Sequence, residues 1–306
     1  MKKILLVPDR PGWAFDHRAR DMLALSWPGF ELDIRYLRKV RKADKRKYDL
    51  IYPMTLDGAR ILHREAGIPL ERMAAGITSL RSLNRYRTGE NGKFRPSFLD
   101  LVKRLRGVNT ASDEFVRLLR PYCRIYKTRV GVNIQNFQPG QKRRVEEGAP
   151  LRVGWVGRID KPAYRRLKGY DLVVGGLEQM NARLDIRTFS EHYAPRAQMA
   201  AYYQSLDCFV CSSESEHIPL PVLEAAACGV PIIATRVGIV PELLRHEYNG
   251  LIVERDKRSI RRAVRRLIRS PRDRRRFGRR IRRAIERKWS WESCQREWLA
   301  FFKAIV

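Results

Sequence analysis

Two glutamates stand at a spacing that suits the binding of a polar ligand. Glu216 and Glu224 are separated by seven residues within "ESEHIPLPVLEAAACGVP" at 214–231. Glu216 falls in a loop after an expected strand, and Glu224 in the first turns of a helix that starts near Pro221, because proline suits a first helical turn. Both carboxylates could then face one crevice and accept hydrogen bonds from polyol hydroxyls. The alternative is a solvated loop acid and a partner for the helix dipole.

The helix start beside these glutamates favours an anion. The main-chain N–H groups of His217, Ile218, Leu220 and Val222 lie near it, and the partial positive charge of a helix N-terminus suits a phosphate. Amides for a phosphate next to carboxylates for hydroxyls fit a sugar attached to a phosphate.

A pair of cations strengthens this interpretation. Gly157 and Arg158 end the run "VGWVGRID", and Lys168 follows ten residues later in "RRLKGYDLV", where we expect the next helix to start. A guanidinium fork and an ammonium group can both reach one diphosphate. Either residue alone is ordinary in so basic a chain, so their placement at the ends of consecutive elements carries the argument.

The elements that position these residues predict an α/β fold. The 306 residues suggest two domains. Strand candidates such as "KILLV", "ELDIRYL" and "YDLIYPM" alternate with helical runs, and the alternation restarts at "LRVGWVGRID" after the polar junction "QKRRVEEGAP" at 141–150. We therefore predict two Rossmann-like, doubly wound domains that face a cleft, at 1–140 and 141–288. Ligands bind outside the carboxyl ends of the strands in such sheets.

A longer segment resembles a known family. The run "SSESEHIPLPVLEAAACGVPIIATRVGIVPELLRHEYNGLIV" at 212–253 is similar to the donor-site segment of glycosyltransferase family 4. "VGRID" with "LKGYDLV" resembles the diphosphate-binding segment of that family, and "VNTASDEFVRLL" with "RVGVNIQNFQPG" resembles the end of its first domain. The resemblance spans roughly residues 106–291, and the first hundred residues match only in outline.

The resemblance implies a fold, a reaction and a set of site residues. Members of the family have the GT-B fold and transfer a sugar from a nucleotide donor with retention of the anomeric configuration. Arg158 and Lys168 would bind the donor diphosphate, Glu216 would contact the sugar hydroxyls, and Glu224 would accept hydrogen bonds from the ribose. The other donor-binding positions would be Gly157, His217, Ile218, Pro219 and Leu220.

The implied reaction uses no metal and no cofactor beyond a nucleotide-sugar, a UDP- or GDP-sugar, because fixed cations stabilise the departing diphosphate. Residues 289–306, "WSWESCQREWLAFFKAIV", resemble the closing helix that crosses back to the first domain.

The first domain departs from the family pattern. Its first loop, "PDRPGWAFDHRAR", has Gly12 alone where the family often has two glycines, and Thr78 and Ser79 stand where a histidine is common. Gly12 and His17 are therefore the candidate contacts from this domain. The alternatives for His17 are a nearby main-chain group, no replacement at all, or an ordinary surface histidine.

The charge of the chain predicts an anionic partner. Lys and Arg number 63 against 33 Asp and Glu, a net charge of +30. Residues 255–288 hold eighteen Lys or Arg and three acids, with Ile260, Val264 and Leu267 at helical spacing, so amphipathic helices carry the arginines outward. The basic stretches "RKVRKADKRK" and "LNRYRTGENGKF", with the apolar residues of "PGWAF", favour an anionic membrane. A solvated surface and a nucleic-acid surface are the alternatives, the latter without a recognisable binding motif.

These observations predict a retaining hexosyltransferase acting on a cell-surface glycan or a lipid-linked acceptor, such as lipopolysaccharide or capsule. The alternative is a nucleic-acid-directed enzyme, such as a DNA-base glycosyltransferase, or a nucleic-acid-binding protein. The first apolar run is too short for a signal peptide and no long apolar stretch occurs, so we expect a cytoplasmic protein, peripheral at the inner face of the cell membrane. Cys208 and Cys211 are predicted to be buried, reduced thiols, because an odd offset in a strand points them to opposite faces.

Overall fold

The computed structural model describes residues 1–89, 92–141, 148–188 and 191–306. The chain divides into two compact units. The first comprises Met1–Gly131 together with Trp291–Val306, and the second comprises Val132–Ser290. Most of the predicted junction at 141–150 lies outside the described residues. Among the helices of the described ranges, none combines the length and apolarity needed to cross a bilayer.

The described residues of the first unit form six parallel strands. They form two sheets in the orders β2-β1-β3 and β4-β5-β6, and a parallel bridge between Ile51 and Met73 connects the two. The strands are β1 Lys2–Val7, β2 Phe30–Ile34, β3 Leu50–Pro53, β4 Ala74–Gly76, β5 Gly107–Thr110 and β6 Ile125–Lys127. The α-helices are α1 Ala14–Leu23, α2 Asp44–Lys47, α3 Leu56–Glu65, α4 Leu80–Asn84, α5 Pro96–Arg104, α6 Asp113–Leu119 and α14 Trp291–Ile305.

Apolar side chains explain the central strands and the last helix of this unit. Ile4, Leu5 and Leu6 of β1 are fully buried, as expected for a parallel strand covered on both faces. The rings of Trp298 and Phe302 on α14 lie 5.7 and 6.5 Å from the ring of Tyr52 on β3. The carboxyl-terminal helix is therefore part of the core of the first unit.

The second unit contains one parallel sheet of five strands in the order β11-β10-β9-β7-β8. The strands are β7 Leu151–Val156, β8 Ala182–Arg187, β9 Cys208–Cys211, β10 Ile232–Thr235 and β11 Leu251–Val253. The helices are α7 Pro162–Lys168, α8 Tyr170–Leu177, α9 Arg196–Gln204, α10 Leu220–Ala227, α11 Val240–Leu243, α12 Lys257–Arg269 and α13 Pro271–Ala284, followed by a π-helix at Ile285–Trp289. Both units have the predicted α/β class with parallel sheets.

One element differs from its prediction. Lys168 is the last residue of α7 and does not start a helix. Pro162 occupies the first turn of α7, and Gly169 ends the helix in the left-handed conformation with φ of 68°, which glycine adopts without strain. Lys168 therefore lies at the end of α7, and the next helix, α8, begins two residues later at Tyr170.

Candidate functional site

The strand order of the second unit identifies where a ligand site belongs. From β7 the chain proceeds to β8 on one side, while β9 lies on the other side of β7. The connections leaving β7 and β9 therefore diverge, and ligands of open α/β sheets bind in the crevice at that switch point. Arg158 follows β7 and Glu216 follows β9, so two of the predicted residues flank this position.

Lys168 and Glu216 form the centre of the candidate site. The Lys168 ammonium contacts Oε1 of Glu216, and the same oxygen accepts a hydrogen bond of 2.8 Å from the Ser213 hydroxyl. The Glu216 side chain is 15% exposed and that of Lys168 is 26% exposed. The Ser212 hydroxyl fixes the main chain beneath the lysine, because it donates to the carbonyl oxygen of Lys168 at 2.9 Å. The fold thus brings together a cation and an acid from different helix–strand connections.

Arg158 is held in a fixed orientation by its own strand exit. Its Nε and Nη2 donate to the two carboxylate oxygens of Asp160 at 2.9 and 2.6 Å, and the guanidinium lies 4.1 Å from the ring centroid of Tyr164. The hydrogen bond from Arg158 lowers the pKa of Asp160 below its ordinary value. Asp160 and Tyr164 were not singled out from the sequence, although "GRID" places the acid two residues after the arginine.

The loop that carries Glu216 makes a close main-chain contact with Gly238. This glycine has φ of 50°, and a Cβ atom built on it would lie 2.2 Å from the carbonyl oxygen of His217. The N–H of Ile239 donates to that same carbonyl at 3.1 Å. Only glycine permits this approach of two main chains.

We expect Gly238→Ala to disturb the candidate site more than the conformation alone requires. An alanine in the left-handed region costs about 1 kcal/mol, and the added methyl group must also displace the loop at His217. Gly148→Ala is the matched control, because Gly148 has φ of 81° with nothing within 4 Å of the added Cβ. Urea unfolding should show the larger loss of stability for Gly238→Ala, and equal losses would contradict the contact.

Glu224 lies in a different network from Glu216. It is 8% exposed. Its Oε1 accepts a hydrogen bond from Nη1 of Arg196 and its Oε2 accepts one from the Tyr203 hydroxyl, both at 2.9 Å. Arg196 begins α9 and Tyr203 stands seven residues later, which places both on one face of that helix. The sequence predicted the helix that carries Arg196 and Tyr203. It did not indicate that these two residues contact Glu224.

The Tyr203 hydroxyl acts as a hydrogen-bond donor in this network. Its side chain is fully buried, and burial, followed by the negative charge of Glu224, raises its pKa well above the ordinary value. The hydroxyl therefore keeps its proton. Burial of the Cys228 thiol and, to a smaller extent, the negative charge of Glu224 raise the pKa of Cys228 to about 12.

Most of the remaining predicted donor-binding residues lie between β9 and the first residue of α10, Leu220. His217 and Pro219 are buried, while Ile218 and Leu220 are half-buried. Gly157 directly follows β7. The Val222 N–H lies at the helix start, as expected, and donates to the Pro219 carbonyl at 2.9 Å within the first turn of α10.

Gly12 and His17 belong to the first unit. Gly12 stands in the loop after β1, and its N–H donates to Oδ2 of Asp16 at 2.8 Å. His17 is a half-buried residue of α1. Burial raises the pKa of Asp16, but the hydrogen bonds from Gly12, Arg20 and Tyr36 outweigh it, so the pKa lies below its ordinary value. Asp16, which the sequence did not indicate, is the residue that fixes this loop.

The cysteines show no arrangement for a metal or a disulfide. Cys208 and Cys211 are free and buried, as predicted. Over the described ranges, no group of three or more His, Cys, Asp or Glu residues could hold a metal ion.

Solved structures identify the fold class. The sucrose-phosphate synthase of Thermosynechococcus elongatus superposes with a TM-score of 0.76 at 16% identity, covering 99% of this chain and 98% of that one. Anabaena Alr3699/HepE, solved in complex with UDP and glucose, superposes with a TM-score of 0.76 at 13% identity, covering 99% and 100%. The fold is therefore GT-B, as the sequence predicts.

The sequence comparisons concern narrower relatives. Residues 172–284 match the family model described as glycosyl transferases group 1. The D-inositol 3-phosphate glycosyltransferase of Thermobifida fusca is 34% identical over 281 residues, which cover 76% of this chain and 64% of that protein. The protein of the same name from Mycobacterium marinum is 26% identical over 181 residues, covering 50% and 37%. The chain thus spans less than two thirds of the length of these curated relatives.

Proposed function

We propose that the protein is a retaining, metal-independent glycosyltransferase of family 4 that transfers a hexose from a nucleotide-sugar. One observation carries the proposal. The switch point of the parallel sheet in the second unit is flanked by Arg158, Lys168 and Glu216. Residues 172–284 of that unit match the family model described as glycosyl transferases group 1. Two cations and a carboxylate at such a position suit a diphosphate attached to a sugar.

The geometry gives each of these residues a task. Each cation now holds a carboxylate: Arg158 holds Asp160, and Lys168 holds Glu216. A donor diphosphate would replace Glu216 as the partner of the Lys168 ammonium. Glu216 would then accept hydrogen bonds from the sugar hydroxyls. The bond between the anomeric carbon and the diphosphate oxygen would break, and its electron pair would leave with the diphosphate. The oxygen of an acceptor hydroxyl would bond to the anomeric carbon on the same face, and its proton would pass to the departing diphosphate. Fixed cations stabilise this growing negative charge at little reorganisation cost.

Glu224 is proposed to bind the ribose of the donor. Arg196 and Tyr203 already orient its carboxylate, and a carboxylate held in place loses little freedom when ribose hydroxyls donate to it. The solved complex of HepE with UDP and glucose supports a UDP-sugar as the donor, and a GDP-sugar is the other candidate.

The acceptor is proposed to be a glycan or lipid-linked molecule at the cytoplasmic face of a membrane. The net charge of +30 supports an anionic surface as a partner. The name of the Thermobifida fusca relative, D-inositol 3-phosphate glycosyltransferase, makes a phosphorylated polyol the acceptor to test beside it. A phosphorylated polyol carries negative charge, which a basic protein attracts.

Thermal unfolding with a panel of UDP-, GDP-, ADP- and CMP-sugars tests the proposal. A ligand that binds only the folded protein stabilises it, by about 2.7 kcal/mol at a hundred times its Kd. We expect one nucleotide to raise the unfolding temperature, with the same shift when EDTA is present. If no member of the panel shifts the transition, the proposed function is wrong.

A further inference from the structure

Nine arginines lie on the outward sides of consecutive helices in the second unit, and we call this set the arginine face. They lie along α12, α13 and the π-helix, and all are exposed except the half-buried Arg261. Within the described part of the chain, none of their side chains has a hydrogen bond, an ion pair or a ring contact. The members of the face are Arg258, Arg261, Arg265, Arg269, Arg272, Arg275, Arg279, Arg283 and Arg287.

The arginine face is continuous along each helix. Its members recur every three or four residues, which aligns them on one side of a helix. The opposite side is apolar and buried, with Ile260 and Leu267 on α12 and Phe277 and Ile281 on α13 at no exposure. At 1.5 Å per residue, the stripes extend about 16 Å on α12 and about 22 Å from Arg272 to Arg287.

The three acidic side chains at 255–288 contact groups that do not belong to the arginine face. Asp256 caps α12 through the N–H of Ser259 at 2.7 Å. Asp273 pairs with Arg266 and Arg276, and Glu286 pairs with Arg282. None of these cations belongs to the arginine face. Like charges three and four residues apart destabilise a helix, so the face is a repulsive array that an external polyanion would relieve.

We infer that the arginine face docks the protein on an anionic lipid bilayer. Sixteen of the eighteen cations at 255–288 are arginine, whose guanidinium fork matches a phosphate oxygen pair. An anionic bilayer presents phosphates over an extended area, which suits stripes of this length, and basic clusters are attracted to its negative surface. The inference deepens the membrane part of the proposed function, but docking itself needs no donor and no transfer.

The side chains of α12 and α13 favour a bilayer over nucleic acid. Phe277 is the one aromatic residue in these two helices, and it is fully buried. Surfaces for single-stranded nucleic acid use exposed aromatic rings on which bases stack. Neither α12 nor α13 exposes one of its own, although the exposed Tyr248 lies against Arg280 of α13. Base reading in a duplex uses residues such as Asn and Gln beside Arg, and the arginine face has no amide side chain.

The basic stretch Arg38–Lys47 of the first unit provides a matched comparison. Its residues lie on a short 3-10 helix, Leu37–Lys39, on the four-residue helix α2 and on the segment between them. It therefore offers no long helical stripe, although the sequence pattern favoured this stretch for the membrane contact. We assign the main contact to the arginine face.

Vesicle sedimentation without a nucleotide-sugar tests this assignment. The test variant replaces Arg265, Arg269, Arg272 and Arg275 by glutamine, and the control replaces Lys39, Lys42, Lys45 and Arg46, with the same loss of charge. On vesicles of phosphatidylglycerol with phosphatidylcholine, we expect the test variant to bind about tenfold more weakly and the control less than about threefold. Wild type should bind little to phosphatidylcholine alone.

Three results would overturn the inference. Equal losses in both variants would show that net charge alone matters, and unchanged binding of the test variant would exclude the face. A duplex oligonucleotide that removes the protein from anionic vesicles at equal phosphate concentration would favour nucleic acid. The four-lysine version of the test variant keeps the charge without the guanidinium fork, so it should bind more tightly than the glutamine variant and more weakly than wild type. Circular dichroism of both variants shows whether the helices remain folded. Because no donor is present, failure of the glycosyl-transfer proposal leaves these outcomes unchanged.

Discussion

Replacing Lys168 by glutamine is expected to lower kcat for glycosyl transfer by about a hundredfold, the usual effect of removing one group that stabilises developing negative charge. The ammonium of Lys168 stands at the switch point against Glu216, where a departing diphosphate would gain charge. An interaction that strengthens as the bond breaks affects kcat more than KM. Steady-state kinetics with the donor identified by thermal unfolding would measure the change.

Arg165→Gln is the matched control for this variant. Arg165 lies on the same helix, α7, and pairs with the exposed Asp171, so it removes an equal charge away from the switch point. We expect kcat for the control to stay within about threefold of wild type, as for other exposed ion pairs of small effect. A Lys168→Gln enzyme with unchanged kcat would remove Lys168 from the mechanism.

Replacing Glu224 by alanine is expected to destabilise the protein by about 3 kcal/mol. The substitution leaves the fully buried Tyr203 hydroxyl and the Arg196 guanidinium without their carboxylate, and removing one member of such a buried pair is costly. Tyr203→Phe takes away a single neutral donor and should cost about 1 kcal/mol. Urea unfolding of the two variants would measure both, and a Glu224→Ala protein as stable as wild type would contradict the network.

Glu224→Gln separates binding from stability. The amide oxygen still accepts a hydrogen bond, while the charge and one acceptor are lost. If Glu224 binds ribose, far from the bond that breaks, the variant should raise KM for the donor with little change in kcat. Loss of donor binding in Glu224→Ala alone would not establish the role, because that variant also loosens its surroundings. An unchanged KM in Glu224→Gln would argue against ribose binding.

The sequence predicted what depends on local pattern. Strand runs such as "KILLV" and "DCFVCSS", the proline near the start of α10 and the apolar stripes of α12 and α13 all appear as expected. Alternation of strands and helices predicts parallel sheets, and the carboxyl ends of those sheets hold polar residues. This reasoning placed Arg158 and Glu216 on one edge of the second sheet.

The rest depends on tertiary contacts that no local pattern encodes. The sequence singled out Glu224, but it did not indicate that Arg196 and Tyr203 of α9 donate hydrogen bonds to its carboxylate. Which face of α9 meets α10 is decided by how the two helices pack against each other. Lys168 was misplaced at a helix start, because the left-handed conformation of Gly169 is not visible in "LKGYD". Asp16 likewise acts through the folded loop at Gly12.

Calorimetric titration of the preferred nucleoside diphosphate into wild type, Lys168→Gln and Arg165→Gln is the most direct test of the candidate site. The account predicts that wild type and Arg165→Gln bind alike, while Lys168→Gln binds at least about tenfold more weakly, since it loses a charge-assisted contact to the diphosphate. Equal affinity in all three proteins, or no binding to wild type by any nucleoside diphosphate, would contradict the placement of the donor at the switch point of the second sheet.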